Sequence, residues 1–296
     1  MEALKPGDLI EVVSPASGLP KEKTTRAQGL LESWGYRVRF AEHAFDQTDY
    51  LAGTDQDRAG DLMKAFLDTE VKAVFCSRGG YGCARLFPYL DLDQMAQSGK
   101  MFLGFSDITT LHLALNRRGL ETYHAPMMIT LMPDRPDWVY ESLRNVLSGG
   151  NPIPASAPAG ECIVPGVVEG EVTGGCLVLM SDSLATPDSI ECQDKIVLIE
   201  DVDENPHRVD ALLTHLINSG QAQSAAGFVV GEMTRTDERR DPTIGGMPWR
   251  DIVIDRLAPL GKPMILNYPF GHATAMLTLP LGRKAKLDAN RGVLSY

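Results

Sequence analysis

Residues 101–111, MFLGFSDITTL, hold a single hydroxyl in a position suited to nucleophilic chemistry. Four apolar residues around a glycine read as a buried strand, and residues 107–115 read as a helix that starts at once. Ser106 stands at the corner. A serine there lies beside the free N–H groups and positive dipole end of a helix, which suit the oxyanion formed after attack. Serine is equally at home as a helix N-cap, so the corner alone leaves both readings open. The GxSxG pattern is not met, because Ile108 stands where its second glycine is required.

A serine nucleophile needs a base and a group that orients the base. Six histidines are available. His43 falls in a polar loop, His112 inside the helix after Ser106, and His124 at the end of a short strand. His207 and His215 lie on one later helix, while His272 sits in a loop bounded by proline and glycine whose small neighbours free its ring. Among the acids, Glu200 and Asp201 directly follow the apolar run 195–199. A carboxylate at the end of a buried strand is costly unless solvated or paired. Asp203 and Glu204 follow, so a solvated loop is the alternative reading. The order Ser106, Glu200, His272 is the nucleophile–acid–histidine order of α/β-hydrolases.

A second feature at a strand end is residues 77–82, SRGGYG. Three glycines in four residues permit positive φ and close approach of backbone to a ligand. The loop reads as an oxyanion donor, a phosphate cradle or a tight turn. It is not GxGxxG and lacks the P-loop lysine, which speaks against a nucleotide site.

The elements that must position these residues alternate along the first half. Strands are expected at 8–13, 36–40, 71–76 and 101–105, with helices at 24–34, 55–67 and 107–115. This rhythm predicts an α/β fold with a parallel sheet covered by helices, and ligands at the carboxyl ends of its strands. Residues 1–150 are expected to form one domain, 151–166 a linker rich in Gly, Pro and Ala, and 167–296 a second domain with short strands. The 296 residues are 44% hydrophobic and carry a net charge of −11 without a basic block, which argues against nucleic-acid and anionic-membrane partners. The N-terminus shows no signal-peptide pattern, and no apolar run approaches the roughly 20 residues of a membrane span. Five cysteines without a CxxC pair fit a reduced, cytoplasmic setting.

Several segments together resemble the LD-carboxypeptidases, a serine peptidase family that includes murein tetrapeptide carboxypeptidases and microcin C immunity peptidases. GFSDIT at 104–109 resembles the family's nucleophile motif, and SRGGYG its glycine loop. Gly7-Asp8 with Ser14-Pro15-Ala16 resembles the opening strand and turn, and Gly174-Gly175-Cys176-Leu177 resembles GGNL with Cys176 in place of asparagine. Leu198-Ile199-Glu200-Asp201 and Gly271-His272 resemble the acid and histidine segments.

The resemblance implies a triad of Ser106 as nucleophile, His272 as base and Glu200 as its orienting acid. It implies an oxyanion hole from the N–H groups of Gly80 and Asp107. It also implies an N-terminal domain like class I glutamine amidotransferases, a smaller C-terminal domain and a homodimer. No cofactor or metal is expected. The substrate would be a small peptide or muropeptide losing a C-terminal D-amino acid. From position alone, Arg78 and Arg85 are candidates for the substrate carboxylate. Microcin-type relatives place a tryptophan within the region of 180–195 to stack on a nucleobase. Here the tryptophans are Trp34, Trp138 and Trp249, which favours a peptide over a peptidyl nucleotide. A non-catalytic binding module on the same scaffold is the alternative of another class.

Overall fold

Continuous apolar runs mark strands buried on both faces, and Leu9–Val13 (β1) is buried along its whole length. The computed structural model describes residues 2–131 and 134–296. Around β1 a parallel sheet is built from Arg37–Phe40 (β2), Val71–Cys76 (β3), Met101–Gly104 (β4) and Thr122–His124 (β5), in the order β2-β1-β3-β4-β5. The late segment Leu279–Leu281 adds an edge strand beside β5.

Helices Thr25–Ser33 (α1), Asp55–Leu67 (α2), Leu92–Gln97 (α3), Thr109–Arg117 (α4) and Asp137–Leu147 (α5) belong to this unit. The α2 helix starts where Thr54 accepts the Asp57 N–H, with two aspartates in its first turn complementing the dipole. One core cluster joins Ile10, Val12, Phe75 and Leu103 of the strands to Leu31, Leu143 and Leu147 of the helices.

The second sheet combines Glu161–Val164 (β6), Val167–Cys176 (β7), Ile196–Val202 (β8), Gly227–Thr234 (β9) and Met264–Leu266 (β10). After Leu279–Leu281 (β11) the chain adds Lys284–Asp288 (β12) and Val293–Ser295 (β13), giving the order β13-β12-β7-β8-β9-β10-β6. The pairs β7–β8, β8–β9 and β9–β10 are parallel, and the edges are antiparallel. Helices Leu177–Asp182 (α6), Pro206–Asn218 (α7), Gln221–Ser224 (α8) and Trp249–Leu257 (α9) belong to this unit.

The chain divides into residues 1–154 with 277–280, and 155–276 with 281–296. The structure differs from the expected linker 151–166, because residues 161–164 form β6, paired with β10 about a hundred positions on. Local composition signals only the Gly and Pro around that strand. Among the described residues no helix is long and apolar enough to cross a membrane.

Candidate active site

The Ser106 corner is built on β4. Phe105 is extended, and Ser106 then takes φ +65°, a left-handed conformation that costs a non-glycine residue roughly 1–2 kcal/mol. The corner continues as a 3-10 turn, Ser106–Ile108, before α4 begins. Neighbouring groups hold the strained residue in place. The carbonyl of Gly104 accepts the Ala125 N–H at 3.0 Å and the His112 Nε2–H at 2.9 Å. His112 is fully buried with its ring edge-on to Phe102, and burial drives its pKa down to about 3, so the ring is neutral and serves as a donor. The buried Asp107 carboxylate accepts the Cys83 N–H at 2.8 Å, tying the corner to the far end of the glycine loop.

The glycine loop is stitched to the opening turn of the chain. Ser14 Oγ donates to the Ala44 carbonyl at 2.6 Å, so its 2.6 Å bond with Ser77 is donated by the Ser77 hydroxyl. Ser17 N–H donates to the Gly79 carbonyl at 3.3 Å, and Tyr81 N–H to Ser17 Oγ at 3.4 Å. Gly79 itself lies against Ser106. A β-carbon there would stand 2.8 Å from Ser106 Cβ and 3.0 Å from its Oγ, closer than real side chains approach. Gly80, singled out from the sequence as an oxyanion donor, follows directly beside Ser17. Because the Gly79 carbonyl is turned to Ser17, the Gly80 N–H of the same planar peptide points the opposite way.

The acid and the histidine are brought together by the second sheet. Glu200 lies within β8, with no exposed surface, and the buried run continues through Asp201. The pairing of β8 with β9 shifts register between Ile199 and Asp201. His272 follows β10 in a loop, and its Nδ1 lies 2.6 Å from Glu200 Oε2. Its main-chain N–H donates to the same oxygen at 3.0 Å. A carboxylate can only accept, so Nδ1 carries the proton and Nε2 is left as the basic nitrogen. Burial lowers the histidine pKa, but the charge and hydrogen bond of Glu200 outweigh it, and the net direction is upward. Gly271 makes the close approach possible. At φ +84° it turns the chain back over Glu200, and a β-carbon there would overlap the carboxylate.

Asp201, the neighbour of Glu200, faces elsewhere. It accepts from Val178 N–H at 2.9 Å in the first turn of α6 and from Val202 N–H at 2.7 Å, with Cys176 Sγ 3.6 Å away. Burial, reinforced by the Glu200 charge, pushes its pKa up to about 7. The aspartate therefore anchors α6 to the strand that carries Glu200. Cys176 is a buried thiol there, its pKa raised by burial.

The two arginines differ. Arg85 is engaged by Asp55, with Nε 3.0 Å from each carboxylate oxygen and Nη2 at 2.9 Å. Arg78 is half-buried and donates to the Gly18 carbonyl at 3.2 Å, and among the described residues no carboxylate pairs with it. Of the remaining histidines, His43 is held by Asp46 at 2.9 Å, His124 packs on Phe105, and His215 lies 3.3 Å from Ser181. Among the described residues no group of histidine, cysteine, aspartate or glutamate could hold a metal ion. The sequence reading missed Gly79 and the clamp role of Gly271. The doubled glycine at 79–80 and the Gly-His pair at 271–272 were the available signals.

Comparison with known proteins gives matches along most of the chain. The family model described as LD-carboxypeptidase N-terminal domain matches residues 10–125, and that of the C-terminal domain matches residues 169–287. A putative carboxypeptidase of Synechocystis is 38% identical over 298 residues, covering 99% of this chain and 95% of the relative. A probable murein peptide carboxypeptidase of Bacillus subtilis is 33% identical over 293 residues, covering 97% and 91%. The crystal structure of a muramoyltetrapeptide carboxypeptidase from Oxalobacter formigenes superposes with a TM-score of 0.85 at 26% identity, covering 97% of each chain.

Proposed function

The chain belongs to the LD-carboxypeptidase family, a family of serine peptidases, and from that premise we propose that it releases the C-terminal D-amino acid, D-alanine, from murein tetrapeptide. It is a serine-type carboxypeptidase. The reading rests on the pair of Glu200 and His272, in which Nδ1 donates to the carboxylate and Nε2 is the basic nitrogen of a histidine whose pKa is raised.

In the proposed reaction His272 Nε2 takes the proton of the Ser106 hydroxyl as Oγ attacks the scissile carbonyl. Glu200 holds the tautomer and stabilises the imidazolium. The N–H groups of Gly80 and Asp107 receive the oxyanion, a term worth about 3–4 kcal/mol per donor in such sites. The imidazolium then protonates the leaving amine, D-alanine departs, and an acyl ester on Ser106 remains. Water attacks that ester, giving its proton to Nε2, and the tripeptide acid is released as Oγ regains its hydrogen. Arg78, half-buried without an acidic partner among the described residues, is the cation proposed for the substrate carboxylate. We assign Arg85 no such role, because its guanidinium is already held by Asp55.

A cytoplasmic enzyme of peptidoglycan recycling, working as a homodimer, completes the reading. The test is D-alanine release from murein tetrapeptide by the wild-type chain and by Ser106→Ala, with an aminoacyl nucleotide as competing substrate. Release by the wild type alone, with the variant still folded by circular dichroism, is expected. Equal turnover by the variant removes Ser106 from the chemistry, and turnover of the nucleotide alone moves the enzyme to the microcin-type activity.

A further inference from the structure

Two exposed aromatic rings stand beside the glycine loop. Tyr81, two residues past Gly79, is 50% exposed, and Tyr50 is 60% exposed. Their centroids are 5.9 Å apart and their planes are inclined at 58°. Each ring is carried on anchored backbone. Thr48 and Leu51 exchange hydrogen bonds at 2.9 and 3.0 Å, closing the tight turn that carries Tyr50. Leu51 is buried beneath it against Gly82, so the two loops are fixed to each other. The polar group beside them is Arg85, held by Asp55, whose guanidinium interacts electrostatically with both tyrosines. Paired aromatic faces left in water with hydrogen-bonding groups around them have the composition of a recognition surface rather than of scattered exposed side chains.

We propose that Tyr50 and Tyr81 form a stacking subsite for a pyranose ring, the amino sugar joined to the amino end of the peptide in a muropeptide. This rests on the function proposed above and names the part of the substrate that the catalytic groups do not touch. Three observations carry it. The first is shape: rings 5.9 Å apart and inclined at 58° offer no parallel faces to sandwich a flat nucleobase, whereas a puckered sugar with C–H groups on its faces packs on a single ring. The second is chemistry: the Arg85–Asp55 ion pair and the two phenol hydroxyls match the hydroxyl and amide groups of an amino sugar. The third is reach. Three residues separate the scissile bond of a tetrapeptide from its amino end, roughly 10 Å when extended. Gly79 lies against Ser106, Tyr81 follows within about 7 Å of chain, and Tyr50 extends the platform by one further ring.

The experiment compares kcat/KM for D-alanine release from free tetrapeptide and from N-acetylmuramoyl-tetrapeptide, in the wild type and in Tyr50→Ala, Tyr81→Ala and Tyr50→Phe. The wild type is expected to favour the sugar-bearing substrate by about tenfold, the scale of one aromatic contact. Each alanine variant brings that ratio toward one, and Tyr50→Phe, which keeps the ring, retains most of it. Release from the free tetrapeptide shows in each variant that the protein is folded and active. A wild-type ratio near one overturns the subsite, as does a ratio that neither alanine substitution changes. A selective loss of aminoacyl-nucleotide turnover in the alanine variants overturns the sugar in favour of a base. Failure of the wild type to release D-alanine from either peptide defeats the proposed function itself, and the sugar subsite with it.

Discussion

Glu200 Oε2 is bonded twice by His272, by ring Nδ1 at 2.6 Å and by the main-chain N–H at 3.0 Å. One oxygen thus fixes both the tautomer and the position of the loop that carries the ring. The ring is held at Nδ1, and the second bond fixes the backbone from which the ring extends.

The clamp depends on Gly271. In Gly271→Ala the new β-carbon meets the Glu200 carboxylate, and φ +84° is unfavourable for alanine. We expect kcat/KM to fall by on the order of 10²-fold, the effect of displacing a catalytic group by about 1 Å. Thermal melting in parallel separates this from general unfolding. Near-wild-type turnover in a folded variant contradicts the clamp.

The pH profile reports the same pair. The Glu200 charge raises the His272 pKa against the opposing effect of burial, and the base works only when neutral. The acid limb of kcat/KM is therefore shifted upward from the ordinary histidine value in the wild type. In Glu200→Gln the limb moves to lower pH, while the plateau drops by roughly 10³–10⁴ through loss of tautomer control. A limb that stays in place removes Glu200 as the partner of the titrating base.

His112 governs acid stability rather than catalysis. Its pKa is about 3 in the fold, from burial, against an ordinary histidine value of 6.5. Between these values the unfolded chain binds the extra proton, so stability declines as pH falls from about 6.5 to about 3. The slope from this one group is about 1.4 kcal/mol per pH unit. Urea unfolding of wild type and His112→Gln at pH 7, 6, 5 and 4 checks it. The variant is less stable at pH 7 but loses less on acidification, and equal acid slopes would refute the assignment.

Arg78 is tested through the substrate. A charge-assisted bond to a carboxylate is worth about 1.5–3 kcal/mol. Arg78→Ala is then expected to lower kcat/KM for the free-acid tetrapeptide by roughly 10–100-fold. Against the C-terminal carboxamide, which offers no charge, the same substitution has a much smaller effect. A loss shared equally by acid and amide would mean that Arg78 only braces the loop through Gly18.

Much of this was open to a sequence reading because it is local. Apolar runs, helix spacing and the abrupt change at Ser106 each express backbone preferences within a few residues, and α2 and β3 occupy the expected ranges 55–67 and 71–76. Strand β6 was hidden within a Gly- and Pro-rich segment because its partner β10 lies about a hundred residues away.

The sequence alone determined the α/β alternation, the corner at Ser106, and the order of Ser106, Glu200 and His272. The tertiary structure decided between neighbours that look alike in sequence. Glu200 and Asp201 are adjacent carboxylates at one strand end, yet Glu200 meets His272 from 72 positions away while Asp201 caps α6. Arg78 and Arg85 are seven residues apart, and only Arg85 finds an aspartate. Gly79 rather than Gly80 lies against Ser106. Successive residues of a strand point to opposite faces, and what each face meets is set by elements far along the chain. Local pattern therefore determines where a side chain stands, and long-range packing determines which partner it has.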